Sequence, residues 1–332
     1  MRTFFAAIAF SLSALPALAN DSTAELGAGG LIYVNTEEIE MRSEDLFISM
    51  DEVRVRYEFV NVSDHDVSTL VAFPMPDIKG SIDFMQSVPT EDPVNFLGFR
   101  TTVDGQAVEA SAQQRVSAMG IDQTAVLVEL GVPLAPHLEA TRDALDALPA
   151  DAQDRLVGLG LAGIEEYDAG KGWERHLAPL WLLSTAFYWQ QSFPAGKTIT
   201  VEHSYKPSVG STAGLSFGSR EMRTGPYYEE HARKYCFDRT FLAAVDKRQK
   251  PDGNNALMEN RIEYILTTAA NWAGAIRNFR LTIDKGSPDN LVSFCGEGVS
   301  KTGPTRFEMT KENFYPEEDL AIVILTPAPW AQ

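Results

Sequence analysis

The chain has 332 residues, 46 acidic against 28 basic side chains, a formal net charge of −18, 44% hydrophobic residues and two cysteines. That apolar fraction supplies a sizeable core, and the length suits roughly two ordinary domains. A negative surplus of this size, with no basic run anywhere, repels phosphate backbones and anionic headgroups instead of releasing their counterions, which excludes nucleic acid as a partner.

Met1-Arg2-Thr3 is followed by the apolar stretch Phe4 to Leu15 and by Ala17-Leu18-Ala19. One positive charge, a short apolar region and an Ala-x-Ala site make a secretory signal peptide, residues 1–19, cleaved after Ala19. A membrane anchor needs about 20 continuous apolar residues, and this run is broken by Ser11, Ser13 and Pro16. The mature chain is therefore expected to be periplasmic or secreted, with no transmembrane segment. In such an oxidising compartment Cys236 and Cys295 are expected to form a disulfide.

Strand signals dominate the mature chain. Val53, Val55, Tyr57 and Phe59 alternate with Arg54, Arg56 and Glu58, which sets an apolar face against a charged one. After the turn-forming run Asn61 to Asp66, a second strand, Val67 to Phe73, is expected to complete a hairpin or meander. Phe96 to Val103 runs into Asp104-Gly105, a tight hairpin turn, and Ala125 to Leu130 reads as a further strand. From Pro136 to about Ala162 leucines recur at helical spacing, with Pro149 at a helix start and Gly158 and Gly160 at its end.

Leu182 to Phe193 and Thr198 to Tyr205 return to strand, the latter placing Ile199, Val201, His203 and Tyr205 on one face. Gly210, Gly214, Gly218 and Gly225 mark a linker or long loop. Tyr228 to Arg248 reads as one helix, and strands are expected at Ile262 to Thr268, Ile276 to Ile283, Leu291 to Cys295, Thr305 to Met309 and Leu320 to Leu325. Many short strands and few helices predict a mainly β protein of two antiparallel, Ig-like β-sandwich domains. The first spans 20–209 with a helical insertion at about 136–162, a Gly-rich linker or loop covers 210–225, and the second spans 226–332 behind its leading helix.

Several motifs carry chemistry only in the right context. Gly158-x-Gly160-x-x-Gly163 spells a dinucleotide fingerprint, but a helix precedes it and Glu165-Glu166 follows, so it reads as a helix stop. Gly214-Leu215-Ser216-Phe217-Gly218 matches a nucleophile elbow without the helix that should follow. Gly196-Lys197-Thr198 lacks the upstream glycine of a P-loop and reads as a hairpin turn. His65, His137, His176, His203 and His231 are dispersed, with no spacing that sets two ligands on one helix face, so no metal site is expected. His203 reads as a satisfied, half-buried histidine. No catalytic constellation and no cofactor is indicated.

The local anomaly is aromatic. Tyr167, Trp173, Trp181, Phe187, Tyr188 and Trp189 fall within one short stretch. Exposed, such side chains stack on sugars or dock partners, and buried, they are core. Trp173, Trp181, Tyr188 and Trp189 are thus the candidate binding residues. Tyr188 and Trp189 must point to opposite faces of their strand.

Met41-x-Ser43-Glu44-Asp45-Leu46, Val71-Ala72-Phe73-Pro74-Met75-Pro76, Tyr188-Trp189-Gln190-Gln191-x-Phe193-Pro194-Ala195-Gly196 and Tyr205-Lys206-Pro207-Ser208-Val209-Gly210 resemble a bacterial secreted family named only as domain of unknown function forty-four twenty-four. The resemblance spans the mature chain and implies location and boundaries but no chemistry. Phe73-Pro74-Met75-Pro76 with Phe99-x-x-x-Val103-Asp104-Gly105 is also similar to the vault protein inter-alpha-trypsin domain, which implies a protein-interaction sandwich.

Together these features read as a non-catalytic binding or scaffolding protein of the cell envelope, with an unidentified envelope protein or glycan as partner. The alternative is a secreted hydrolase or carbohydrate-binding protein acting on an envelope polymer, with carboxylates and the Trp173 to Trp189 aromatics lining a cleft.

Overall fold

The computed structural model describes residues 20–27, 30–82, 87–168, 170, 172–212, 214–219, 221–248 and 257–328. The signal-peptide expectation at 1–19 lies outside the described residues. Strands β1 (Ser22–Gly27), β2 (Gly30–Tyr33), β3 (Ile39–Ile48), β4 (Val53–Asn61), β5 (Val67–Pro74), β6 (Ile78–Lys79), β7 (Arg100–Val103), β8 (Gln106–Val108), β9 (Ser111–Ala118) and β10 (Ile121–Asp122) come first. Helices α1 (Thr124–Glu129), α2 (Glu139–Asp146) and α3 (Ala150–Gly158) precede β11 (Ala162–Asp168), β12 (Trp173–Pro179), β13 (Leu182–Phe193), β14 (Thr198–Tyr205) and β15 (Gly210–Thr212). Helices α4 (Pro226–Lys234) and α5 (Arg239–Asp246) lead to β16 (Leu257–Tyr264), a 3-10 turn (Thr267–Asn271), β17 (Ile276–Asp284), β18 (Leu291–Phe294), β19 (Ser300–Lys301), β20 (Arg306–Phe314) and β21 (Leu320–Pro327).

The fold is mainly β, in several largely antiparallel sheets. An eight-stranded sheet runs β19-β20-β17-β3-β4-β14-β7-β8, and a seven-stranded sheet runs β10-β9-β13-β5-β1-β2 with β6 on β13. A four-stranded sheet runs β15-β16-β21-β18, and β11 with β12 forms a separate two-stranded arm. The alternation read in β4 is observed: Val53, Val55, Tyr57 and Phe59 are buried, while Arg56 on the other face pairs with Glu58 at 2.9 Å. One hydrophobic core joins the inner faces of the two large sheets, and it includes Ile262, Tyr264, Ile322 and Ile324 from the four-stranded sheet.

β21 explains its own sequence. Ile322 and Ile324 enter the main core, whereas Ala321, Val323 and Leu325 enter a second core with Phe217, Tyr235, Phe241 and Val245. A strand covered on both faces reads as a continuous apolar run, and Leu320 to Leu325 is one. Residues 20–209 and 226–332 share the eight-stranded sheet, because β17 pairs in parallel with β3, Leu281 opposite Leu46.

Some sequence expectations need correction. β4 and β5 lie in different sheets, so the turn at Asn61 to Asp66 crosses between sheets instead of closing a hairpin. Asn61 holds that crossing by donating to the Phe193 carbonyl at 2.7 Å. The turn at Gly196 likewise joins β13 to β14 across two sheets. Ala125 to Leu130 is helical as α1: a short apolar run has no decisive period, Asp122 Oδ1 accepts from the Thr124 amide at 2.9 Å and Gly131, at φ 69°, ends the turn.

The helix expected over Tyr228 to Arg248 is two helices, broken where Cys236 adopts a left-handed φ of 51°. The strand expected at Ile262 to Thr268 starts at Leu257, ends at Tyr264 and gives way to the 3-10 turn. Cys236 and Cys295 are disulfide-bonded, tying the α4–α5 connection to the end of β18. Among the described residues no helix is long and apolar enough to cross a membrane.

Candidate functional site

A cleft of about 720 Å³ opens where the β5–β6 connection meets the edge of the four-stranded sheet. β15 is the edge strand of that sheet and lines the cleft with Gly210, Ser211 and Thr212. Being three residues long, it presents a short row of main-chain donors and acceptors on the side away from β16. The Lys206-Pro207-Ser208 segment delivers the chain to this edge, and Ser208 Oγ anchors it by donating to the Ser87 carbonyl at 2.9 Å.

Side chains around the edge are held by their own partners. The wholly buried Glu259 accepts from Arg261 Nε at 3.1 Å. Burial works against the Arg261 charge, and the bond and charge of Glu259 more than offset it. Lys234 Nζ meets Glu263 at 2.5 Å. Asp319 accepts from the Thr267 hydroxyl at 2.9 Å and from the Leu266 amide at 3.1 Å. Burial pushes the Asp77 carboxyl up, against a lowering hydrogen bond from Ser184. With both cations paired to glutamates, Asp77, Glu318 and Asp319 leave this cleft acidic.

The tempting motifs resolve structurally. Ser216 Oγ donates to Glu259 at 2.8 Å, so the nucleophile-elbow serine belongs to the Glu259–Arg261 network, flanked by Leu215 and Phe217 of the second core. Gly158 ends α3, Gly160 has φ 72° and β11 follows, the reverse of the strand-then-helix order a dinucleotide loop needs. Among the described residues no group of three or more His, Cys, Asp or Glu is placed to hold a metal.

The four candidate aromatics are not brought together. Trp181 is fully buried and donates from Nε1 to the Leu134 carbonyl at 2.8 Å. Trp189 is buried and bonds Gln191 at 3.2 Å. Tyr188, half-buried on the opposite face of β13, packs with Ala24, Leu31 and Ala72. Trp173, at the start of β12, is 79% exposed. None of the four lines the cleft, so the cleft envisaged between carboxylates and these aromatics is not formed by them. The signal that marks the real cleft is the Pro207 to Gly210 run leading out of β14, which composition alone renders as linker.

A second polar cluster is wholly enclosed. His203 Nε2 lies 3.0 Å from Asp21 Oδ1; His203 is thus buried, not half-buried. Asn20 Nδ2 donates to Glu44 Oε2 at 3.2 Å, and Asn20 Oδ1 accepts from the Tyr57 hydroxyl, which meets the Tyr264 hydroxyl at 3.2 Å. Trp272 Nε1 donates to the Asp21 carbonyl at 2.7 Å. Burial pushes the Glu44 carboxyl up to about 8, with the Asn20 amide pulling it down and the Asp21 charge pushing it further up. Nothing in residues 20–23 read alone signals that they enter the core; the polar side chain of His203 on an apolar strand face was the one hint.

A mainly β scaffold with an acidic cleft along a sheet edge is the class of protein that these observations define. The chain belongs to the family described as Domain of unknown function (DUF4424), which it matches over residues 19–323. No curated protein matches it. Among solved structures it is similar to a Legionella pneumophila subsp. pneumophila protein named as a proposed nutrient binding protein, at 16% identity and a TM-score of 0.43, covering 92% of this chain and 70% of that one. At that TM-score the likeness carries no argument about function.

Proposed function

We propose that this is a periplasmic or secreted binding protein of the cell envelope, released from its leader after Ala19, whose partner docks as an extended segment along β15. The observation that carries the reading is the cleft itself: a sheet edge at Gly210 to Thr212, unpaired on its outer side among the described residues, opens into about 720 Å³ of space bordered by Asp77, Glu318 and Asp319. Extended peptides add to such edges through main-chain hydrogen bonds, and neighbouring side chains then select among them. Asp77, Glu318 and Asp319 favour a segment bearing Lys or Arg. Two large sheets sharing one core support reading the scaffold as a β-sandwich, which holds that edge rigid.

The test is site-specific photo-crosslinking in native cells, with the probe at Ser211 or Glu318 and a control probe at Glu312 on β20. One protein crosslinked at the first two positions through a basic segment, and lost when Ser211→Pro disrupts the edge strand, is the expected result. Crosslinking only at Glu312, or to glycan alone, would overturn the reading.

A further inference from the structure

Asn20 would be the first residue of the chain after cleavage at Ala19, and its backbone sits inside the protein. Its nitrogen donates to Thr268 Oγ1 at 2.6 Å, and the same hydroxyl returns a bond to the Asn20 carbonyl at 2.8 Å. Residues 20–23 are all at most 1% exposed. A chain terminus ordinarily lies in solvent, so a terminus placed among core strands calls for a physical reason.

The charges around it supply one. Two carboxyl groups, Asp21 and Glu44, are buried here beside one imidazole, His203. Even with His203 protonated, one negative charge has no counterpart among the described neighbours, which are Tyr57 of β4, Tyr205 of β14, Tyr264 of β16, Thr268 of the 3-10 turn and Trp272 just after it. Among the described residues Asp21 Oδ2 and Glu44 Oε1 are buried without a hydrogen-bond partner, as are His203 Nδ1 and the Tyr205 hydroxyl. Such groups are costly to enclose unless a donor reaches them. A peptide nitrogen offers one hydrogen, already given to Thr268, whereas an ammonium offers three. The two additional donors equal in number the two orphaned carboxylate oxygens.

We infer that the α-ammonium of Asn20, created by cleavage after Ala19, is the internal counter-ion of the Glu44 and Asp21 carboxylates, so that removal of the leader completes the core. This rests on the leader reading above. Hydrolysis of the Ala19–Asn20 amide by an envelope peptidase consumes one water, leaves a carboxylate on Ala19 and an amine on Asn20, and the amine takes its proton from solvent. Free α-amino groups have pKa values of about 7.7–8.0, and two carboxylates beside this one would raise it.

The sign of the pH effect distinguishes the two forms of the chain. While Asn20 remains in peptide linkage, the Glu44 carboxyl is raised from its ordinary 4.5 to about 8. Its contribution to stability is then fully present below pH 4.5 and is lost as pH rises through about 8. With the ammonium in place Glu44 is ionised and paired, and that loss disappears across the same range.

The experiment compares urea unfolding of a chain beginning at Asn20 with one beginning at Ala19, at pH 5.0 and pH 7.5, each with and without Glu44→Gln. The folded-to-unfolded ratio of the Asn20 chain is expected to exceed that of the Ala19 chain by on the order of a hundredfold at pH 7.5 and by much less at pH 5.0. Glu44→Gln should narrow the gap by restoring the Ala19 chain. Equal stability of the two chains at pH 7.5 would overturn the inference. So would a deficit of the Ala19 chain that is the same at both pH values and is not relieved by Glu44→Gln, because that is the behaviour of a steric clash. Intact-mass measurement of the protein recovered from native envelopes separates the two readings: a first residue other than Asn20 refutes the leader site and this inference with it, whereas Asn20 first with equal stabilities refutes the counter-ion alone.

Discussion

His203 Nε2 and Asp21 Oδ1 stand 3.0 Å apart with both side chains entirely enclosed, although 182 positions separate them in the chain. The pair pins the segment ahead of β1 to the middle of β14, and Phe73, Phe99 and Trp189 pack their rings around the imidazole at 4.8 to 5.5 Å. Removing one partner strands the other in an apolar setting. His203→Ala should therefore lose about 3–5 kcal/mol in urea unfolding, and the double change with Asp21→Asn should lose less than the two single changes summed. Strict additivity would show that the two groups do not sense each other.

The Cys236–Cys295 bridge closes a separation of 59 residues. A loop of that size stabilises by roughly 4 kcal/mol in the chain-entropy picture, an upper figure because strain subtracts. Reduction, or Cys236→Ser with Cys295→Ser, should lower stability by up to that amount. Hydrogen exchange is expected to rise first in α4 and α5, whose contact with β18 the bridge maintains. Uniform acceleration across all sheets would contradict this placement.

Two tryptophans of the same aromatic stretch should behave oppositely. Trp181→Phe removes a buried donor and leaves the Leu134 carbonyl unmatched, for an expected loss of about 1–3 kcal/mol. Trp173→Ala should leave the melting temperature unchanged while removing an indole fluorescence component that acrylamide quenches readily. A large stability loss at Trp173 would mean that the β11–β12 arm is packed in solution.

His176 Nδ1 lies 2.7 Å from Asp146 Oδ2 and joins β12 to the end of α2. The bond to Asp146 chiefly, with Glu174 adding to it, holds the imidazole above its ordinary 6.5. A histidine raised in the folded state contributes stability that is fully present below pH 6.5 and is lost as pH rises through the folded value. In an NMR titration the His176 midpoint should lie above 6.5 and fall toward it in Asp146→Asn. An unchanged midpoint in that variant would place the cause elsewhere.

Local pattern carried much of this structure. Alternation in Val53 to Phe59 and Thr198 to Tyr205 located strands and buried faces, and Asp104-Gly105 forms its turn with φ of 48° and 76°. The disulfide expected between Cys236 and Cys295 is formed. What local pattern could not carry was pairing. β4 and β5 are each legible, yet only the distant core decides that they part into two sheets, and the parallel contact of β17 with β3 has no signal in either segment. The arm formed by β11 and β12 has no strand signal in sequence because Glu165-Glu166 and Arg175-His176 break any apolar alternation. Burial likewise separates Trp181 from Trp173, eight positions apart, and no spacing rule distinguishes them. The acidic cleft has no signature in the sequence because its walls come from five separate regions of the chain.

The parallel seam between β3 and β17 also constrains the order of events in time. A ribosome releases the N-terminal strand first, at roughly 5–20 residues per second, and β3 ends at Ile48 while its neighbour ends at Asp284. For roughly ten to fifty seconds of synthesis, then, one edge of β3 has no partner to accept its hydrogen bonds. Long-range parallel closure is slow and leaves sticky edges open. The molecule cannot be assembled progressively from its front end, and needs its last quarter in hand, or a chaperone's protection until then, before its central sheet exists.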